Sequence, residues 1–116
     1  MSYLLLILTF GFVMCEIHQP SVFDPYMSIC ICATGIKPSV AYNWLKKDEF
    51  VNDPCLGCFI NCVGTKAGLE IDDSDAFDRL VPDIDPVKIS FCQNKTLDLV
   101  DPCKRSFVFS KCLHDK

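Results

Sequence analysis

The stretch DPCLGCFINCVGTK, residues 53–66, decides how the chain folds. Asp53 is a good helix N-cap, because its carboxylate accepts a free amide of the first turn. Pro54 suits the first helical position, where its missing N–H is no loss. Cys58 and Cys62 follow four residues apart, so on a helix they share one face. They cannot bond each other there. Their Cβ atoms would stand about 5–6 Å apart, against about 3.8 Å in a disulfide. Both must reach outward to other helices, which makes this segment a hub.

Working outward, the same Asp-Pro start recurs at Asp24-Pro25, Asp85-Pro86 and Asp101-Pro102. Lys37-Pro38 and Ser74-Asp75 supply two further starts. Apolar residues at helical spacing follow each one, which predicts helices over 26–33, 38–47, 54–66, 75–81, 86–94 and 102–113. Thr34-Gly35, Gly68 and Pro82 read as stops. Alternating strand patterns and Asn-Gly or Asp-Gly hairpin turns are missing from the sequence. The fold class is therefore all-α, with about six short helices. Helices this short are marginal in water by themselves, so cross-links must supply what local propensity lacks. Cys103 and Cys112 lie nine residues apart, about 180° around a helix. They staple the last helix from two sides.

Residues 3–15, YLLLILTFGFVMC, form an apolar run too short to span a bilayer. The run sits at the N-terminus and ends at Cys15, a small residue before Glu16, as a signal peptide does. Residues 1–15 are thus expected to be a signal peptide and 16–116 a single domain. Export implies an oxidising compartment, where the eight remaining cysteines read as bridges rather than metal ligands. A formal net charge of −4 without a basic run argues against nucleic acid and anionic lipid as partners. No later segment is apolar enough to insert stably in a membrane.

Catalytic chemistry needs a constellation, and none is visible. The two histidines, His18 and His114, stand near opposite ends of the chain. Asp72-Asp73 and Asp83/Asp85 read as turn residues and caps. No cofactor and no metal site is expected; a zinc cluster drawn from Cys30, Cys32, Cys55, Cys58 and Cys62 does not suit an exported chain. Asn94-Lys95-Thr96 matches the glycosylation sequon, which makes Asn94 a candidate acceptor.

The cysteine pattern resembles that of the insect odorant-binding proteins, the pheromone and general odorant binders. Cys32, Cys58, Cys62, Cys92, Cys103 and Cys112 match the family's spacing, including its fixed gaps of three and eight residues. The flanks Cys32-Ala-Thr-Gly-Ile36, Lys46-Lys47-Asp48-Glu49-Phe50 and Asp101-Pro102-Cys103 are similar too, as is Phe107 ahead of Lys111-Cys112-Leu113. The resemblance implies bridges Cys32–Cys62, Cys58–Cys103 and Cys92–Cys112. Cys30 and Cys55 are extra to the pattern. A fourth bridge, Cys30–Cys55, would lie beside Cys32–Cys62, with two free thiols or an intermolecular bridge as the alternatives. Cys30 and Cys32 are about 200° apart on an ideal helix, so both bonds together require that helix to distort. The segment between Cys62 and Cys92 is shorter than usual for the family, and only four residues follow Cys112.

The resemblance also implies a function: a secreted, non-enzymatic carrier that takes a small hydrophobic ligand, such as an odorant or pheromone, into an apolar cavity inside the stapled shell. A chemoreceptor is a further partner it suggests. The expected wall residues are apolar ones on helix faces beside the bridges: Trp44, Phe59, Val63, Phe77, Leu80, Ile89, Phe107 and Val108. The alternative is a secreted interaction protein of salivary, venom or seminal type, acting on a receptor or other protein with a solid interior.

Overall fold

The computed structural model describes residues 21–115. The expected signal peptide, the cysteine at its end and His18 lie outside them. A 3₁₀ turn, Asp24–Tyr26, leads into six helices: α1 Met27–Thr34, α2 Pro38–Lys47, α3 Pro54–Lys66, α4 Ser74–Leu80, α5 Pro86–Lys95 and α6 Pro102–His114. No strand occurs among the described residues.

The helix starts follow the local chemistry. The carboxylates of Asp53, Asp85 and Asp101 accept from the backbone N–H of Cys55, Val87 and Cys103 at 2.9, 2.9 and 3.0 Å. α4 is capped by Asp73, whose carboxylate takes the Ala76 N–H at 3.1 Å. Asp24-Pro25 begins only the 3₁₀ turn, because the Asp24 side chain is spent backward on the Ser21 N–H at 2.7 Å. The stops hold as well. Gly35 ends α1 with φ of 70°, and Gly68 follows α3 with φ of 83°. At α3 the Gly68 N–H bonds to Thr65 O and the Leu69 N–H to Gly64 O, the paired bonds of a Schellman motif.

The helices build two apolar cores. The first gathers Met27, Cys30, Ile36, Ala41, Trp44, Leu56, Phe59, Ile60 and Val63 from α1 to α3 and the loop between α1 and α2. The second gathers Leu69, Ala76, Phe77, Ile89, Cys92, Phe109 and Cys112, chiefly from α4 to α6. α6 belongs to both, with Phe107 turned to the first and Phe109 to the second. Gly57 lets α3 and α6 approach closely: a Cβ there would overlap the carbonyl oxygen of Cys103.

Three disulfides tie the layers together: Cys30–Cys62, Cys58–Cys103 and Cys92–Cys112. α3 is the hub, bridged to the first helix and to the last. Two of these pairs are those the family resemblance implies. The third corrects it, because Cys62 bonds Cys30 rather than Cys32. The expected Cys30–Cys55 bridge is not formed, and Cys32 and Cys55 are free thiols. The cause is helical geometry. Cys30 is fully buried against α3, and two residues further on Cys32 has rotated to the exposed side. α1 stays regular instead of distorting to offer both sulfurs, so only one of the two can face Cys62.

Candidate functional site: an apolar cavity at the seam of two cores

Where the two cores meet, they leave a cavity of about 450 Å³. Trp44 and Ile60 of the first core line it, and Leu69, Phe77 and Phe109 of the second. Phe23, Ile71, Val81, Ile84 and Leu113 complete the apolar wall. Aromatic contacts fix the two sides. Trp44 packs against Phe23 and Phe59, with ring centroids 5.6 and 5.9 Å away. Phe77 meets Phe109 edge-on at 5.6 Å. Such tilted and edge-to-face pairs are the favoured geometries of aromatic rings, so Phe23, Trp44, Phe77 and Phe109 are held in place on the lining, with Phe59 packed behind Trp44.

α6 supplies one wall through a single helical stripe: Pro102, Arg105, Ser106, Phe109, Ser110, Leu113 and His114. These positions recur at three- and four-residue spacing, as one helix face must. α3 faces it with Ile60, Asn61, Gly64 and Thr65.

Of the eight expected wall residues, Trp44 and Phe77 line the cavity. Phe59, Val63 and Ile89 are buried in the cores behind it. Leu80 packs on the second core from its edge. Phe107 turns to the far side of α6, where its ring meets Phe50 at 5.7 Å. Val108 is half-buried and off the lining stripe. The sequence carried one signal for the face that lines this cavity. Ser106, Phe109, Ser110 and Leu113 form a stripe on α6 beside Cys112, which must face α5 to bond Cys92. The serines masked it, because a search for apolar neighbours steps over them.

Polar groups sit at two depths. Deep on the wall, the Trp44 indole N–H donates to Ser110 Oγ at 3.3 Å. Ser106 Oγ donates to Asn61 Oδ1 at 3.1 Å. Nearer the solvent, Arg105 forks onto Asp72 through bonds of 3.0 and 2.8 Å. These bonds lower the Asp72 carboxyl from its ordinary value, outweighing the opposite effect of its slight burial. They raise the Arg105 guanidinium in return. Arg105 Nε also donates to Thr96 Oγ1 at 3.4 Å. Thr96 is fully buried and bonds back to Cys92 O at 3.0 Å. The third residue of the sequon is thus part of the packing.

On the other side of the rim, His114 Nδ1 donates to Ser110 O at 2.8 Å, and its Nε2 lies 3.0 Å from Asp48 Oδ1. Both acceptors are served together only by a ring protonated on both nitrogens. Among the described residues no three His, Cys, Asp or Glu side chains converge as a metal site. Cys30, Cys58 and Cys62 of the conceivable zinc cluster are spent in disulfides. No helix among those residues is long and apolar enough to cross a membrane.

The comparisons with known proteins agree with this architecture. The sequence profile of the PBP/GOBP family, the insect pheromone and general odorant binders, matches residues 14–116. The chain belongs to the PBP/GOBP family. No match came from the curated proteins or from the solved structures. PBP/GOBP proteins are binding proteins for small hydrophobic ligands, and the cavity at the seam is a space of small-molecule size among the described residues.

Proposed function

We propose that the protein is a secreted, non-enzymatic carrier of small hydrophobic molecules of the odorant or pheromone kind. The cavity at the seam is the observation that carries the proposal. Its volume falls in the range of small-molecule sites, about 300–1,000 Å³, and side chains from both cores line it. Unlinked helices of this length would close on such a space, because protein interiors pack to the density of organic crystals. The staples oppose that collapse, since each holds α3 or α6 to a neighbour. At about 30 Å³ per heavy atom, the share of a water in the liquid, the space suits a guest of about fifteen heavy atoms. Binding would draw on buried apolar area, about 25 cal/mol per Å². No bond is made or broken. The leader at residues 1–15 and the three disulfides support export.

The test is displacement of an environment-sensitive hydrophobic dye from chain 16–116 refolded with its bridges. A carrier takes up one dye per chain, saturably, and small volatiles compete it away. A protein that shows no saturable uptake is not a carrier. The surface-interaction reading would then take its place.

A further inference from the structure

α5 is apolar on two sides. Ile89, Cys92 and, at the C-cap, Thr96 face inward and are buried. On the outer side Val87 and Phe91 are 75% and 61% exposed. The outward face of a surface helix is ordinarily polar. At about 100° per residue, Val87, Phe91 and Asn94 fall within about 60° of one another around the helix axis, on a single stripe. Asn94 is itself exposed. It heads Asn94-Lys95-Thr96, the acceptor triplet for N-linked oligosaccharide. The fold thus places the acceptor on the same stripe as two bare apolar side chains.

Direction favours contact between them. Side chains on a helix lean toward its N-terminus and cover the turn before their own Cα. A group carried by Asn94 is therefore aimed back over Phe91 and on toward Val87. The rise from Val87 to Asn94 is about 10 Å, the length of a two-sugar core. A sugar ring has an apolar C–H face and a rim of hydroxyls. Laid on Phe91, its C–H groups meet the negative face of the phenyl ring, while the hydroxyls stay in water.

Resting on the exported-carrier reading, we propose that Asn94 bears an N-linked oligosaccharide whose first sugars cover Phe91 and Val87. The donor is a lipid-linked diphospho-oligosaccharide of the export compartment. Asn94 Nδ2 bonds to the anomeric carbon of the first sugar. The bond from that carbon to the diphosphate oxygen breaks, and the lipid diphosphate leaves. The amide gives up one proton to a base of the transferase, and nothing is oxidised or reduced. Thr96 is buried once α5 is wound, so the transfer acts on the unwound segment. None of the residues lining the seam cavity comes from α5, so the cover leaves uptake of the guest unchanged.

The experiment expresses the full chain, leader included, in insect cells. The chain collected from the medium should lose mass on treatment with an N-glycosidase, and peptide mapping should place the loss at Asn94. Trimming the sugar should lower Tm by about 2–5 °C in the unaltered chain. In Phe91→Ser the same trimming should lower it by less than half as much. In the proton spectrum of the intact glycoprotein, the ring current of Phe91 should move protons of the first sugars to high field. Equal losses in both backgrounds mean that the sugar points into solvent, and that result overturns the proposal. Sugar protons at their ordinary positions overturn it too, and this arm decides even where the variant does not fold. A chain that reaches the medium without sugar overturns the proposal and leaves the carrier reading standing. A chain retained in the cells overturns export, and the proposal falls with it.

Discussion

Replacing Gly57 by alanine tests the geometry that creates the cavity. An exposed helical glycine changed to alanine gains about 0.8–1 kcal/mol from helix propensity. At Gly57 the added methyl would overlap the Cys103 carbonyl oxygen, with Phe107 Cβ only 3.3 Å away. That obstacle is backbone, and the Cys58–Cys103 bridge one residue along prevents α6 from sliding off. Overpacking of a tight core costs about 1–3 kcal/mol, and an immovable neighbour places the change at the upper end. The net loss is then about 1–2 kcal/mol, or about 5–15 °C in Tm for a domain of this size. Gly64→Ala, two turns along the same helix, is the control. Its methyl would meet Leu69 O at 3.4 Å, an ordinary contact, so the propensity gain should survive. Thermal melts of both variants with intact disulfides give the comparison. If Gly57→Ala melts level with or above Gly64→Ala, the close approach of α3 and α6 is not a constraint and the reasoning is wrong.

Peptide mapping without reduction should recover Cys30 joined to Cys62, with Cys32 and Cys55 alkylated as thiols; a Cys32–Cys62 peptide would contradict the geometry of α1. Serine at Cys62 should cost about 2–5 kcal/mol in denaturant unfolding, as loss of a native bridge from a small domain does, whereas serine at exposed Cys32 should stay within about 0.5 kcal/mol. Gly64→Leu should fill the cavity and weaken dye uptake about tenfold or more while the far-UV spectrum keeps its helical shape; undiminished uptake would place the dye elsewhere. Because pairing with Arg105 depresses the Asp72 carboxyl, its contribution is present above the unfolded value near pH 4 and is lost as the pH falls through the lower folded value. The Asp72 side chain is 64% exposed, so the amount is small, within about 1 kcal/mol. Asp72→Asn should therefore lower stability slightly at pH 7 and flatten the acid limb of the unfolding curve below pH 4.

Local chemistry made the helices legible in the sequence. An aspartate that can cap and a proline that loses nothing at the first turn marked α3, α5 and α6, and the ends of α2 and α3 fell where the pattern stopped. What stayed hidden was direction. α6 is apolar on two sides, Cys103 and Phe107 on one and Phe109, Cys112 and Leu113 on the other. Only tertiary packing tells which side closes a cavity and which fills a core. Phe59 and Val63 lie behind this cavity for the same reason, because a residue beside a bridge can look inward to packing as readily as outward to a guest. The choice between Cys30 and Cys32 was hidden differently. Spacing along the family pattern favours Cys32, while the phase of α1 against α3 puts Cys30 in contact, and phase is not written in a gap length.

The depth of Thr96 bears on how the chain is made. Oligosaccharide transfer requires the threonine of Asn94-Lys95-Thr96 to be accessible, but in the finished fold its hydroxyl lies under Arg105 at the end of α5. A sugar on Asn94 must therefore precede the winding of α5 and the closure of Cys92 onto Cys112. In an exported chain Cys112 would leave the ribosome after Asn94, which would give an interval in which the enzyme can act. Occupancy at Asn94 would serve as a clock, recording whether sugar transfer or bridge closure came first.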